Sequence, residues 1–377
     1  MQRTATLGIA LSAALALSLS LACSSKNGSS STNNNSANNP KQPTATPVAK
    51  EKQPAPPTGK RTPVVIPDGA GTTKRVSFMS KSLGVEKEYI VYLPAGYDAD
   101  KNARYPVLYY LHGLGGHEGN WSEGLELVKN ADALKIGAIV IMPDGDDSFY
   151  VNAVSHTKPY ETCLKGRRPF GAEKNMKKYC VRHANYEDYM TKDLIQHVDA
   201  TYRTIANRAG RGIGGLSMGG YGSLMLSMRN KSLYTATASH SGVDSLLYKG
   251  PYPYVKGKTQ LLSNIKPALK RMGIFGGLFK KLYGTDVEQW KKHDPTTMAQ
   301  TLNPGELQIY LDCGTEDEFR LHNGMQYLHE LLDARKIPHE YYIGKGRHNG
   351  SFWRDRIDDS LRFFKKHIAK AFTTSAR

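Results

Sequence analysis

Residues 211–221 read Arg-Gly-Ile-Gly-Gly-Leu-Ser-Met-Gly-Gly-Tyr, and they decide how the rest of the chain is interpreted. Their centre, Gly215 to Gly219, has the G-x-S-x-G spacing at which a serine occupies a sharp turn between a strand and a helix. The two glycines remove side chains that would clash where the strand and helix cross. The helix after the turn would present the Met218 amide to an anion. The stretch therefore predicts that a base and a substrate can both reach the Ser217 hydroxyl.

This five-residue pattern is weak on its own. The chain contains 36 glycines, so patterns of this kind arise often by chance. The alternative is a glycine-rich turn that carries an ordinary serine. A catalytic serine also needs a base, an acid and oxyanion donors, so the residues of other loops distinguish a catalytic serine from an ordinary one.

A second glycine-rich loop follows a predicted buried strand. Residues 106–111 form a continuous apolar run, which is typical of a strand covered on both faces. The loop after it reads His112-Gly-Leu-Gly-Gly, and loops of this kind supply a backbone amide to oxyanion holes. We expect Leu114 N–H to be that donor and His112 to be a structural loop residue. A plain glycine turn is the alternative.

The last predicted strands supply an acid and a base. Residues 307–311 lead into a loop that ends in Asp317, and residues 339–343 lead into a glycine-rich loop that carries His348. Together with Ser217, these residues follow three strands in the order serine, acid, histidine. The carboxyl ends of parallel strands meet at one sheet edge, where α/β sheets place their sites. The sequence thus predicts a catalytic triad.

Other residues compete for two of these roles. The chain has 12 histidines, and a given histidine more often lies on the surface or packs in the interior than acts as a base. His240, after the next strand, is a weaker candidate base than His348. Glu316 competes with Asp317 as the acid, whereas Asp312 is too near its strand.

Residues 1–22 have the features of a secretory signal peptide. Arg3 precedes an uncharged run of Leu, Ala and Ser at 7–21, which is too short to span a bilayer. The run ends in Ala22-Cys23, which resembles a bacterial lipobox in which Cys23 is lipidated. We expect an exported protein, tethered through Cys23 as an outer-membrane lipoprotein or else periplasmic or extracellular. Simple cleavage after Ala22 is the alternative.

Residues 23–73 are predicted to be a disordered tether, and residues 74–377 a single catalytic domain. The tether is rich in Ser, Asn, Pro and Thr and cannot bury enough apolar surface to fold. Of the net charge of +17, about +10 remains after residue 75. This charge favours anionic partners, or it belongs to a generally basic exported protein. The absence of helix-turn-helix, zinc-finger and aromatic-basic strand motifs argues against nucleic acid as a partner.

Residues 149–183 are predicted to be an irregular insertion held by a disulfide. Cys163 and Cys180 lie close together in a polar segment with seven Lys or Arg between positions 165 and 182. In an exported chain this spacing indicates a disulfide, worth about 3 kcal/mol for a loop of this size. Metal binding by this pair is disfavoured, because no histidine stands at finger spacing. Cys313 is expected to be a buried free thiol.

Residues 243–301 interrupt the alternation of strands and helices. Within them, residues 261–283 mix large apolar residues with five lysines and arginines. Three interpretations stay open: a cap over the active site, a basic amphipathic contact with a lipid surface, and a peripheral pair of short helices. Three glycines in this segment break any long helix, which favours the cap over the lipid contact.

Four motifs together resemble the esterase D-type family of α/β-hydrolases. They are His112-Gly-Leu-Gly-Gly, Gly215-Leu-Ser-Met-Gly-Gly-Tyr-Gly, Cys313-Gly-Thr-Glu-Asp317 and Gly346-Arg-His348-Asn-Gly-Ser-Phe-Trp353. The family includes feruloyl and acetylxylan esterases, S-formylglutathione hydrolases, siderophore esterases and mycolyltransferases. The resemblance covers roughly residues 75–370. It implies an α/β-hydrolase fold, with a mostly parallel central sheet of about eight strands flanked by helices.

The resemblance also implies a serine esterase that works through an acyl-enzyme on Ser217 and needs no metal or organic cofactor. Export argues against the cytosolic formylglutathione branch and favours esterases that remove acyl, acetyl or feruloyl groups from small-molecule or polysaccharide esters. The amides of Leu114 and Met218 would hold the oxyanion. Two alternatives remain: an acyltransferase with the same triad, and a non-catalytic surface-binding protein on the hydrolase fold.

Overall fold

The computed structural model describes residues 61–154, 157–166 and 175–374, which all fall in one compact unit, Lys52–Arg377. The strands are β1 (Arg61–Pro63), β2 (Thr72–Ser80), β3 (Val85–Leu93), β4 (Ala103–Arg104), β5 (Val107–Leu111), β6 (Ile139–Pro143), β7 (Arg211–Leu216), β8 (Ala236–His240), β9 (Tyr248–Lys249), β10 (Gln260–Leu261), β11 (Gln308–Gly314), β12 (His339–Gly344) and β13 (Phe372–Thr374). The α-helices are α1 (Leu127–Ala133), α2 (Thr157–Lys165), α3 (Met176–Cys180), α4 (Tyr186–Asp188), α5 (Leu194–Thr201), α6 (Met218–Arg229), α7 (Lys266–Arg271), α8 (Gly276–Tyr283), α9 (Val287–Lys291), α10 (Pro295–Ala299), α11 (Leu321–Ala334) and α12 (Gly350–His367).

The central sheet contains eight strands in the order β12-β11-β8-β7-β5-β6-β3-β2. The strands from β12 to β6 are parallel to their neighbours, whereas β3 pairs antiparallel with both β6 and β2. This arrangement confirms the predicted α/β-hydrolase architecture with a mostly parallel sheet. No helix in the described ranges combines the length and the apolar character needed to cross a membrane.

Helices cover both faces of the sheet, and this explains the continuous apolar strands. All five residues of β5 are buried. Val107, Tyr109 and Leu111 pack in the same core as α5 and part of α6, while Leu108 and Tyr110 pack with α1 and α12 on the other face. Since side chains alternate along a strand, a strand covered on both faces must be apolar at every position.

The strand order brings the candidate site loops together. The neighbours β5 and β7 place Leu111 opposite Gly215, so the His112 loop and the Ser217 turn leave the sheet side by side. On the same sheet, β11 and β12 pair Gly314 with Gly344, so the next two loops also start together. In open α/β sheets, sites lie at the carboxyl ends of strands where the order reverses, and this order reverses at β5.

The insertion after β6 differs from its prediction in one respect. The predicted disulfide is confirmed, since Cys163 and Cys180 are bonded. The segment is not irregular throughout, however, because these cysteines lie on the short helices α2 and α3. Part of the basic segment, residues 167–174, lies outside the described residues. Cys313 is a buried free thiol, as predicted.

The predicted start of the domain is wrong. Composition predicts a tether up to residue 73, but β1 pairs antiparallel with β13, and Val64 N–H donates to Ala371 O. Pairing with the end of the chain therefore orders residues that composition alone assigns to the tether. At the other end, α12 stops at His367 and β13 follows it. The signal peptide and Cys23 lie outside the described residues.

Candidate active site

Ser217 occupies the turn between β7 and α6. Its backbone has φ 53° and ψ −116°, a conformation that is strained for a residue with a side chain. A Cβ at Gly215 would approach the Gly219 carbonyl to 2.4 Å, and a Cβ at Gly219 would approach Leu111 O to 2.2 Å. Only glycine fits at these two positions, because the crossing of helix and strands leaves no space for a side chain. The turn thereby holds the Ser217 side chain above the sheet edge.

His348 lies within hydrogen-bond distance of both other candidate residues. Its Nε2 is 2.9 Å from Ser217 Oγ, and its Nδ1 is 2.6 Å from Asp317 Oδ2. An ionised carboxylate can only accept, so the proton lies on Nδ1 and the lone pair of Nε2 faces the serine hydroxyl. The His348 side chain is 8% exposed and that of Asp317 is fully buried. The structure thus brings together the three side chains that the sequence singled out.

Asp317 is held in position by its own loop. Its Oδ1 accepts hydrogen bonds from the backbone N–H groups of Phe319 (2.9 Å) and Leu321 (3.3 Å). These bonds leave Oδ2 for the imidazole, with a weak contact from Cys313 Sγ at 3.6 Å. The two amides therefore fix the orientation of the carboxylate, with Oδ2 directed at His348 Nδ1.

The rival acid Asp312 and the rival base His240 form a separate buried pair. Asp312 Oδ2 is 2.7 Å from His240 Nδ1 and accepts from the Tyr310 hydroxyl at 2.8 Å, and the side chains of Asp312 and His240 are fully buried. Glu316 is exposed. The pairing of His240 with Asp312 cannot be predicted from the sequence, because the two residues lie on neighbouring strands 72 positions apart.

The two predicted oxyanion donors lie beside Ser217. Leu114 and Met218 are the residues after Gly113 and Ser217, and a Cβ on Gly113 would come within 3.3 Å of the Ser217 Cβ. Within the described ranges, neither the Leu114 nor the Met218 amide N–H donates a hydrogen bond. Met218 opens α6, so its amide belongs to the free N–H groups of a helix N-terminus. Both amides are available to an oxygen bound next to the serine.

Hydrogen bonds hold the His112 loop in place, and those made by His112 confirm its predicted structural role. The buried imidazole accepts from Gly145 N–H through Nε2 at 2.8 Å and donates from Nδ1 to Gly113 O at 2.8 Å. The amide of Gly115 donates to Asp147 Oδ1 at 2.7 Å. These bonds fix the backbone on both sides of Leu114.

Glu318 joins the two loops that carry Asp317 and His348, and sequence analysis missed it. Its carboxylate accepts from His348 N–H at 3.0 Å and from Arg347 Nε at 2.5 Å. The bond from the His348 amide, with that from its own amide, holds the pKa of the Glu318 carboxyl at about 2, below its usual 4.5. The sequence does offer one indication of this contact, since an acid directly follows Asp317 and an arginine directly precedes His348.

A cleft of about 850 Å³ opens beside Ser217 and His348. Its apolar lining residues are Leu114, Leu125, Phe149, Leu216, Val243, Met272, Phe275, Phe279, Phe319, Leu321 and Trp353, and its polar ones are Asn120, Ser217, Asp244, Ser245, Tyr248, Tyr252, Arg320 and His348. The rings of Phe319 and Trp353 contact His348 edge-on, with centroids at 4.9 and 5.1 Å. Residues of the 261–283 segment thus form part of the cleft wall, as the cap interpretation predicts.

The fold and the cleft place the chain in the class of α/β-hydrolases. Residues 80–364 match the family described as "Putative esterase", and the chain belongs to this esterase family. It is a carboxylic ester hydrolase, as the resemblance of its motifs implied.

Among its relatives, S-formylglutathione hydrolase of Rattus norvegicus is 25% identical over 320 residues, which cover 79% of this chain and 95% of the relative. The solved structure of S-formylglutathione hydrolase from Agrobacterium tumefaciens has a TM-score of 0.58 at 18% identity, covering 82% and 99% of the two chains. A ferulic acid esterase from Anaeromyces mucronatus, solved in complex with ferulic acid, has a TM-score of 0.51 at 17% identity, covering 79% and 91%. These two structures share the fold.

Proposed function

We propose that this protein is an exported serine esterase that removes acyl groups, aromatic ones included, from carbohydrate esters through Ser217, His348 and Asp317. The observation that carries the proposal is the continuous chain of hydrogen-bond distances, 2.9 Å from serine to imidazole and 2.6 Å from imidazole to carboxylate. Three side chains from three separate loops meet in the order that nucleophilic catalysis requires.

In the acylation step, His348 Nε2 takes the Ser217 proton as Oγ attacks the ester carbonyl. The Asp317 carboxylate keeps the imidazole in the Nδ1–H tautomer and stabilises the imidazolium that forms. The amides of Leu114 and Met218 hold the developing oxyanion, and each such donor contributes about 3 kcal/mol to the stability of the transition state. His348 then protonates the leaving alcohol, and the C–O bond breaks.

In the deacylation step, water attacks the acyl-enzyme. His348 again takes a proton, now from the water, and returns it to Ser217 Oγ as the tetrahedral intermediate collapses and the bond between the acyl carbon and Oγ breaks, which releases the acid. The edge contacts of Phe319 and Trp353 keep the imidazole orientation while leaving its Nε2 side open to the cleft.

The cleft supports an acyl group larger than acetyl. Pockets of roughly 300–1,000 Å³ accommodate drug-sized molecules, and a mostly apolar lining favours an apolar or aromatic group. The neighbouring structure solved with ferulic acid shows that a protein of this fold binds an aromatic acid. An acetyl group would leave most of this cleft unfilled.

Export is supported by the disulfide between Cys163 and Cys180, because structural disulfides persist in oxidising compartments. Residues 1–22 have the charge and apolar pattern of a signal peptide, and Cys23 stands at the position of a lipidated cysteine. We propose that lipidated Cys23 tethers the enzyme to the bacterial outer membrane.

A substrate screen tests the proposed specificity. The set comprises nitrophenyl acetate and butyrate, methyl ferulate, acetylated xylan and a thioester, and kcat/KM is measured for each small ester. We expect kcat/KM for the larger acyl groups to exceed that for acetate by at least about tenfold, because a single methylene in an apolar pocket changes discrimination by that much. A preference for acetate would contradict the substrate assignment. Transfer of the acyl group to an added alcohol in preference to water would identify an acyltransferase.

Replacing Glu318 by glutamine is expected to loosen the His348 loop without removing a reacting group. We expect kcat to fall several-fold, well short of the roughly 10²-fold loss that a 1 Å misplacement causes. Because the folded pKa lies below the unfolded one, the charged carboxylate stabilises the fold above about pH 4.5. That stabilisation disappears as the pH falls towards 2.

The measurement is thermal unfolding of wild type and Glu318→Gln between pH 2 and 7. Wild type should be the more stable at neutral pH, and the difference should vanish at the acid end. Glu316→Gln, at an exposed neighbouring carboxyl, is the matched control. A stability difference that persists at pH 2 would mean that the charge of Glu318 is not what braces the loop.

A further inference from the structure

Three potential metal ligands meet where α11 ends and β12 begins. His329 and Asp333 are one turn apart on α11, and His339 is the first residue of β12. One ligand atom from each lies within 4.8 Å of the other two. We propose that His329, Asp333 and His339 bind one divalent transition-metal ion, with Zn²⁺ as the best match to two imidazoles and one carboxylate.

The hydrogen bonding of His339 prepares it as a ligand. Its Nδ1 is 2.8 Å from Ile337 O, which can only accept, so the proton lies on Nδ1 and the lone pair on Nε2. That lone pair accepts from His329 Nδ1–H at 2.7 Å, and a metal ion would take the place of this proton. Metal-bound histidines usually donate their second N–H to a carbonyl or carboxylate in this way. The side chain is only 4% exposed, so its orientation is fixed by packing.

The spacing of the ligand atoms is close to that of a metal site. His339 Nε2 is 2.7 Å from His329 Nδ1 and 4.0 Å from Asp333 Oδ1. Zn–N bonds of 2.0–2.1 Å in a tetrahedron place ligand atoms about 3.3 Å apart. Shifts of roughly half an ångström in the side chains would lengthen the distance from His339 Nε2 to His329 Nδ1 and shorten that to Asp333 Oδ1. The three atoms would then accommodate the ion.

The surroundings permit that shift and leave room for further ligands. The His329 side chain is 32% exposed and that of Asp333 is 52% exposed, so both can adjust and water can complete the coordination. The His329 ring stacks on Tyr341 of β12 with centroids 3.9 Å apart and an angle of 5° between planes. Stacking on Tyr341 keeps the His329 ring in one plane but allows it to shift within that plane.

The ion would tie α11 to the edge strand β12, the two elements whose other ends lead to Asp317 and His348. A metal that binds the folded chain and not the unfolded one stabilises the fold by mass action. Metal binding at this site does not depend on the catalytic role of Ser217. A failed metal titration therefore says nothing about esterase activity, and an inactive enzyme says nothing about the metal site.

The test is a Zn²⁺ titration of the full chain, purified in detergent without a polyhistidine tag and freed of metal with a chelator. A chromophoric chelator reports the affinity, thermal unfolding reports stabilisation, and the visible absorption of Co²⁺ reports the coordination. We expect one ion per chain and a higher unfolding temperature with Zn²⁺. The variants His329→Gln, Asp333→Asn and His339→Gln should each weaken binding by about 100-fold or more, since even outer-shell losses cost 10–100-fold.

The matched control is His367→Gln. His367 is 3.7 Å from Glu340, and no third ligand completes a group around it among the described residues. This variant should bind Zn²⁺ as wild type does. Asp333→Asn changes an exposed side chain and keeps the test decisive if His339→Gln fails to fold. Absence of saturable binding in wild type, or unchanged binding in both His329→Gln and Asp333→Asn, would overturn the proposal.

Discussion

Ser217→Ala is expected to lower kcat for ester hydrolysis by about 10⁶-fold, the loss seen when a serine nucleophile is removed from a complete triad. The reason is that, in the described part of the chain, no oxygen other than Ser217 Oγ lies within hydrogen-bond distance of His348 Nε2. The fold should be retained, because the change removes only the hydroxyl oxygen and adds no atom to the φ 53° turn. Residual activity would come from the oxyanion amides and binding alone.

The measurement combines initial rates on an activated ester with labelling by a fluorophosphonate probe and thermal unfolding. Wild type should be labelled at Ser217 with a stoichiometry of one, and the variant should be unlabelled at an unchanged unfolding temperature. Ser82→Ala, a serine far along the chain on the β2–β3 turn, serves as the control and should behave as wild type. If Ser217→Ala retained activity, Ser217 would not be the nucleophile, and the protein would hydrolyse esters by a different mechanism.

Asp317→Asn is the second large effect, with kcat expected to fall by about 10⁴-fold. An asparagine amide can donate to Nδ1 of His348, which would place the imidazole proton on Nε2, the wrong nitrogen for accepting the Ser217 proton. The oxygen Oδ1 keeps its bonds from Phe319 and Leu321, so the loop geometry should survive. KM should change little, because Asp317 is buried behind the histidine.

Glu316→Gln is the matched comparison, since Glu316 competed with Asp317 on sequence grounds and is exposed in the structure. We expect it to keep wild-type kcat. A large loss in Glu316→Gln with little loss in Asp317→Asn would transfer the role of acid to Glu316. Equal and small losses in both would show that neither carboxylate orients His348 during the reaction.

The class of fold could be predicted because its signals are local. Burial on both faces requires every residue of β5 and β6 to be apolar, and this requirement is visible in five consecutive letters. The turn at Ser217 requires glycine on both sides, since a Cβ at either position meets backbone at 2.4 Å or less. The strand, the glycines and the serine are adjacent in the sequence, so this turn can be predicted without knowing which distant residues it contacts.

The boundaries of the domain could not be predicted in the same way. Residues 61–63 are exposed and have no apolar pattern, and they form β1 only because Phe372–Thr374 offers a partner. The helices of the insertion likewise lie in a polar segment, where a disulfide joins them. The partner of β1 is more than 300 positions away and cannot be found from composition, whereas the two cysteines are visible in the sequence but do not reveal the helices that carry them.

The sequence by itself determined the class of fold, the sharp turn at Ser217 and the order in which a serine, an acid and a histidine follow their strands. Only the tertiary structure decided that Asp317 rather than Glu316 faces His348, that Glu318 joins the two loops, and that His329, Asp333 and His339 converge. The physical reason is that these contacts depend on strand register and side-chain direction between elements. Ser217 and His348 are 131 positions apart in the chain and 2.9 Å apart in space.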